Sequence, residues 1–254
     1  MQLRVLIYMN GYDFLSDPLY ERSRLVFSDD GMLRLNSSHI LVAGVGGVGG
    51  FVAEALVRAG VGSLTLIDHD KVSASNKNRQ IVALDSTIGR LKVDVMAERL
   101  ADINPSCKIH KIAEFLTPEA MPDLVSSGFD FVVDAIDSLN CKVALVEQAY
   151  IQQVPVVSSM GAGRRIDPSK ISITDISQTH GCGLARVMRQ RLRKQGIKKG
   201  VPVIFSTELP KEPGPFEAIE GARGRVVNGT ASYMPGIFGL MLAGLVVQKL
   251  TQSS

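Results

Sequence analysis

Cysteine is scarce in this chain: Cys107, Cys141 and Cys182 are the only three, they lie far apart, and no C-x-x-C pair exists. A structural zinc site needs four ligands, so a zinc module built on paired cysteines is excluded. Few, separated thiols lead to the expectation of a reducing, cytoplasmic setting. Charge imbalance is equally small. The net charge is +3, too little to mark the whole surface for nucleic acid, so any basic surface must be local. No leader segment is expected, because the apolar run Val5–Met9 after Arg4 is too short for a signal core and no small-residue cleavage site follows. Membrane-length apolar stretches are missing ahead of the C-terminus. There, Ile237–Val247 reads as an apolar helix containing Gly239 and Gly244, too short for a span. It is expected to be buried or to face a second subunit, and no membrane partner is expected.

The 254 residues, 45% hydrophobic and 21% charged, suffice for one large core in an ordinary soluble α/β domain. Its centre is Ile40–Lys92. An apolar strand, Ile40–Ala43, runs into Gly44-Val45-Gly46-Gly47-Val48-Gly49, then a helical stretch Phe51–Ala59 and a second strand Leu64–Ile67 that ends on Asp68. Gly44 permits the tight turn, Gly46 and Gly47 let backbone approach a phosphate, and Gly49 lets helix and strand pack closely. Free N–H groups at the helix start attract an anion. Asp68, 19 residues past Gly49, is positioned to accept ribose hydroxyls. These features predict an adenine-nucleotide site. A nicotinamide-dependent oxidoreductase would use the same turn, but it leaves Asn76, Arg79 and Lys92, which follow closely, without a role. Two cations and a neutral donor suit a triphosphate whose charge grows on one phosphorus during reaction.

Further along, helices are expected over Ile88–Ile103, Pro118–Ser126, Ser138–Gln152 and Leu184–Gln195. Strands are expected over Lys108–Ile112, Phe129–Ala135, Val154–Ser158, Ile171–Ile176 and Val201–Phe205, with a loop over Pro210–Gly224. Residues 1–17 read as a loose arm, and Leu25, Val26 and Phe27 as an apolar anchor for the segment beginning at Asp17. The fold class is α/β: a Rossmann-like, mostly parallel sheet with helices on both faces, extended by a C-terminal α/β substrate-binding part. We expect one domain, with residues 18–160 binding nucleotide and 161–254 binding substrate. Asp137 falls just past a strand's carboxyl end, where ligands and metals collect in open α/β sheets; acids there also cap helices. The turn Ser159–Arg165 reads either as a tight bend or as an anion-binding nest.

One more absence is informative. No acid occurs between Asp175 and Glu208, while Arg186, Arg189, Arg191, Arg193, Lys194, Lys198 and Lys199 all do. Such a run is compatible with a solvated face, yet the missing acids favour a polyanion contact. No aromatic side chain interleaves the cations, so a grip on phosphate backbone fits better than base stacking. Cys182, in His180-Gly181-Cys182-Gly183, is the one thiol expected in a flexible, electropositive setting.

The motifs GxGGxG, Asp68-x-Asp70, Ser-x-Asn76-x-Asn-Arg79-Gln, Gly-x-x-Lys92 and Ala135-Ile136-Asp137-Ser138 together resemble the ThiF/MoeB superfamily of ATP-dependent adenylating enzymes. Within it, Lys142, the stretch Val203–Glu208 and Asn228–Ser232 resemble the tRNA threonylcarbamoyladenosine dehydratase branch. The likeness spans residues 18 to 250. It implies ATP and Mg2+ as cofactors, Asp137 as the magnesium carboxylate, and Arg79 and Lys92 on the phosphates. Asp70 and Asn76 would shape the loop and touch nucleotide or metal. It also implies a homodimer in which Arg22, of Tyr20-Glu21-Arg22, reaches the partner's ATP. The substrate would be tRNA, gripped at Arg186, Arg189, Arg193, Lys194, Lys198 and Lys199, with a possible sulfur-transfer partner protein. The alternative within the superfamily is activation of a ubiquitin-like sulfur-carrier protein.

Overall fold

The computed structural model describes residues 14–219, 222–226 and 228–252; Val5–Met9 and the rest of the expected arm up to residue 13 lie outside them. Seven strands form one sheet: β1 His39–Ala43, β2 Ser63–Ile67, β3 Lys108–Ile112, β4 Phe131–Asp134, β5 Val156–Ser159, β6 Ile171–Asp175 and β7 Pro202–Ser206. Their order is β3-β2-β1-β4-β5-β7-β6. All neighbours pair in parallel except the edge pair β6–β7, which is antiparallel. This is the expected mostly parallel, doubly wound arrangement, and its strand order reverses between β1 and β4.

Side chains alternate across a strand, and β1 divides the two cores accordingly. Ile40 and Val42 pack with α1 (Glu21–Ser37), α2 (Gly49–Ala59), α3 (Lys92–Ile103) and α7 (Met234–Thr251) on one face. Leu41 and Ala43 pack with α4 (Met121–Val125), α5 (Leu139–Ile151) and α6 (Gly183–Lys194) on the other. Strands buried on both faces read as continuous apolar runs, which is why they were visible in the sequence.

α7 is longer than the apolar pattern predicts. It is also long and apolar enough to cross a membrane, but half of it is buried inside the protein. Gly236 and Gly239 bring it onto α2: a Cβ at Gly239 would lie 2.4 Å from the Val48 carbonyl oxygen. The expected loop over Pro210–Gly224 differs too. Within it begins an antiparallel pair, β8 (Phe216–Ile219) and β9 (Ala222–Val226); Glu220 and Gly221 lie outside the described residues. Prolines and glycines flanking the pair masked its short strands.

The N-terminal anchor is the expected one only at Phe27, which packs against the core. Leu25 and Val26 are 81% and 74% exposed. The buried residue is Tyr20, whose ring packs on Phe14 at 4.2 Å and whose hydroxyl accepts a bond from Asn104 Nδ2 at 2.7 Å. α1 is broken at Ser28 (φ 60°), and the Ser28 hydroxyl accepts the Gly31 N–H at 3.3 Å, starting the second segment as an N-cap does. Replacing Tyr20→Phe keeps the ring and strands the buried Asn104 amide, so urea unfolding is expected to show a loss of about 1–3 kcal/mol.

Candidate nucleotide and substrate site

The glycine turn after β1 lies at the reversal of strand order, where open α/β sheets bind ligands. Gly44 adopts φ +91°, and a Cβ there would stand 2.6 Å from the Ala135 carbonyl oxygen. At Gly49 a Cβ would stand 1.7 Å from the Gly44 carbonyl oxygen. The turn therefore closes against the end of β4 only if both positions are glycine. Asp68, at the tip of β2, braces it: Oδ2 accepts the Val45 N–H at 2.8 Å and Oδ1 accepts the Asp70 N–H at 2.9 Å.

Two expected residues, Lys92 and Arg79, join this turn. Lys92 is the first residue of α3 and only 5% exposed. Its Nζ donates to Asp70 Oδ2 at 2.7 Å and lies 4.0 Å from Asp68 Oδ2. Arg79 crosses over Gly47, where a Cβ would be 3.4 Å from Arg79 Cγ; its Nη1 donates to Asn78 Oδ1 at 2.8 Å. Asn76 turns inward instead, its Oδ1 accepting the Ser73 N–H at 3.1 Å, and so shapes the loop. Beside them the Gln80 Oε1 is buried without a protein partner, while its Nε2 is 3.8 Å from where a Gly46 Cβ would be. A buried acceptor without a donor is rare, and this one borders the glycine turn.

Asp137 follows β4 on an exposed turn, with no hydrogen bond or ion pair among the described residues. A hard, uncommitted carboxylate of this kind fits Mg2+, which keeps waters and substrate phosphates as its other ligands. Asp68, His69 and Asp70 also place ligand atoms within 4.8 Å of one another, but their oxygens already serve Val45, Asp70 and Lys92, so that cluster fits a cation poorly.

Beneath Asp137 lies a group that sequence reading missed. Asp134 is fully buried, and Oδ2 meets Lys142 Nζ at 2.8 Å and the Ser158 hydroxyl at 2.5 Å. Its Oδ1 accepts the Ile136 N–H at 3.2 Å, which orients the turn leading to Asp137. Burial pushes the Asp134 carboxyl up from its usual range, against the pull of Lys142 and the hydrogen bonds. An acid closing an apolar strand with a lysine eight residues on was the available signal.

The basic stretch divides. Arg186, Arg193, Lys194, Lys198 and Lys199 are exposed on or just after α6, as is Arg191, which bonds Asn140. Arg189 differs from these neighbours: it is half-buried, and its Nη1 donates to the Thr179 carbonyl at 2.8 Å, clamping the approach to α6. The turn after β5 is a clamped bend. Arg165, 3% exposed, donates to the carbonyls of Gly161 at 2.7 Å and Glu208 at 3.0 Å. Cys182 is buried rather than flexible. Arg22 is exposed on the first turn of α1, beside Leu25 and Val26.

Residues 20–254 match the ThiF family. The chain belongs to the ThiF family. This ThiF-family chain is 42% identical to the tRNA threonylcarbamoyladenosine dehydratase of Bacillus subtilis over 239 residues, 91% of this chain and 94% of the relative. Among solved structures, that of the Escherichia coli tRNA N6-threonylcarbamoyladenosine dehydratase TcdA in complex with ATP superposes with TM-score 0.83 at 36% identity, covering 91% of this chain and 93% of that one. The complex of the same enzyme with AMP gives 0.82 at 36% identity, covering 90% and 92%.

Removing one partner of a buried ion pair leaves an uncompensated charge. Asp134→Ala is therefore expected to cost about 3–5 kcal/mol in chemical denaturation, whereas Asp137→Ala, on the surface, should leave the unfolding midpoint unchanged. Burial also raises the Cys107 thiol to about 12, so at pH 8 it should resist maleimide until the protein is denatured.

Proposed function

We propose that this chain uses ATP to dehydrate N6-threonylcarbamoyladenosine in tRNA, closing a ring through adenylation of its carboxylate. The observation that carries this reading is the crevice itself: a glycine turn, a buried lysine and an uncommitted carboxylate meet at the reversal of strand order. The named relatives, which match nearly end to end, support the substrate.

A carboxylate cannot expel oxide, so dehydration requires a better leaving group. The carboxylate oxygen attacks the α-phosphorus of ATP, the bond to the β-phosphate oxygen breaks, and pyrophosphate leaves. A nitrogen of the same carbamoyl unit then attacks the acyl carbon, AMP departs with the former carboxylate oxygen, and the nitrogen loses its proton. Both reacting groups belong to one side chain, so proximity drives closure and no covalent nucleophile is needed from the protein. Arg79 and Lys92 stabilise charge growing on the phosphates. Asp68 fixes the ribose and the N–H groups of the turn hold the phosphates. Asp137 would hold Mg2+, which would supply charge neutralisation on the triphosphate. Arg22, displayed with Leu25 and Val26, suits a homodimer in which it reaches the partner's nucleotide. The exposed cations of α6 grip tRNA phosphates. Three buried, unpaired cysteines give no support to a thiol-dependent sulfur-carrier activator. A sulfur-transfer partner and a cytoplasmic setting belong to the same reading.

The test is ATP–pyrophosphate exchange with modified tRNA, a sulfur-carrier protein, or neither. Exchange that depends on tRNA supports the reading; exchange that depends only on the carrier protein overturns it. Asp137→Ala and Arg79→Ala should each lower turnover roughly 100-fold or more without loss of fold. Reversing charge at Arg193 and Lys198 should raise KM for tRNA more than KM for ATP, with the defect steepening as salt falls.

A further inference from the structure

A second cationic recess is linked to the nucleotide crevice through Asn78. It is a cavity of about 340 Å³ walled by Arg164, Arg165, Ile166, Lys211, Glu212 and Thr230. Its frame is rigid. The Arg164 N–H donates to the Gly229 carbonyl at 2.8 Å, and the Lys211 N–H donates to the Arg164 carbonyl at 2.8 Å. The Tyr233 hydroxyl donates to the Ile166 carbonyl at 2.7 Å. Arg164 sits at φ 61°, a conformation that costs a non-glycine residue energy and collects at functional sites.

The electrostatics favour an anion. Among the described residues, the lining carries Arg164, Arg165 and Lys211 against Glu212, and the nearby Glu208 carboxylate is taken up by the Ile166 and Asp167 N–H groups. The buried Arg165 guanidinium is held by the backbone carbonyls of Gly161, Gly163, Gly181 and Glu208 and meets no carboxylate among the described residues, so the cations free to meet a ligand are Arg164 and Lys211. Arg164 Nη1 donates to the Lys211 backbone carbonyl at 3.1 Å, and both residues line the recess. Lys211 is exposed and can reach a ligand without strain.

The position fits the reading above, on which this inference rests. Asn78 Nδ2 donates to the Thr230 carbonyl at 3.0 Å, and Asn78 Oδ1 holds Arg79 at 2.8 Å. One wall of the recess is thus bonded to the residue that orients the phosphate-facing arginine. The recess shares no lining residue with the glycine turn, so it is distinct from the site proposed for the triphosphate. We propose that the recess binds a phosphodiester of the tRNA strand flanking the modified adenosine, with Arg164 and Lys211 as its ligands. The bound backbone fixes the direction from which the threonylcarbamoyl group enters the crevice.

The test is equilibrium binding of an RNA stem-loop cut from the tRNA around the adenosine, measured by fluorescence anisotropy across a salt series without ATP. Lys211→Gln and Arg164→Gln should each weaken binding roughly tenfold, as loss of a charge-assisted contact does, and flatten the salt slope by about one. Neutral methylphosphonates are then placed singly at the linkages on either side of the adenosine. One of them should weaken the wild type equally and the Lys211→Gln protein no further. Equal losses at every linkage in both proteins, or undiminished binding by both variants, would overturn the proposal. So would a penalty that appears only when the RNA carries the threonylcarbamoyl group, since the recess would then hold that carboxylate. An unchanged melting temperature shows that the variants fold. Failure of the function itself would be seen separately, as exchange that does not respond to tRNA in the wild type.

Discussion

A carbonyl oxygen with no free space in front of it organises this protein. The Ala135 oxygen abuts Gly44, and the Gly44 oxygen abuts Gly49, each at a distance that excludes any side chain. Strand β1, helix α2 and the end of β4 are thereby locked into one unit. Everything with chemistry attached hangs from it: the free N–H groups of α2, the brace from Asp68, and the turn that displays Asp137. The parallel strands carry these groups to one edge of the sheet, and the two apolar cores hold the strands in place.

The buried pair of Asp134 and Lys142 works on the same unit from below. Taking two charges out of water gains little net stability over an apolar pair of similar shape. Its distinctive contribution is directional. Asp134 ties Lys142 and Ser158 with one oxygen and the Ile136 N–H with the other, so β4, β5, α5 and the Asp137 turn share one geometry. A hydrocarbon core would pack as densely without specifying that turn.

Much of this was legible in the sequence because it rests on local rules. Continuous apolar runs announced β1, β2 and β4; the glycine spacing announced the turn; Lys92 was placed in the first turn of a helix expected from Ile88, whereas α3 begins at Lys92 itself; and the strand end at Asp137 followed from the run before it. What escaped was set by tertiary contact. The apolarity of Leu25 and Val26 suggested burial, yet they lie at the surface while the amphipathic Tyr20 fills the interior beside Gly60. The helical periodicity of the basic run could not distinguish Arg189, turned back onto the Thr179 carbonyl, from its exposed neighbours. The strands β8 and β9 carried turn-forming residues and no clean alternation. Asp134 looked like the last residue of a strand, and nothing local tells that Lys142 and Ser158 converge on it.

The pairing of Lys92 with Asp70 has one further consequence. A lysine side chain confined on complex formation forfeits about 1.5–2 kcal/mol of rotamer freedom. Here that confinement, and the dehydration of the ammonium, are completed during folding rather than at the moment of encounter. In the proposed reaction, an arriving triphosphate would find its cation already aimed, and would need only to draw it from one carboxylate oxygen.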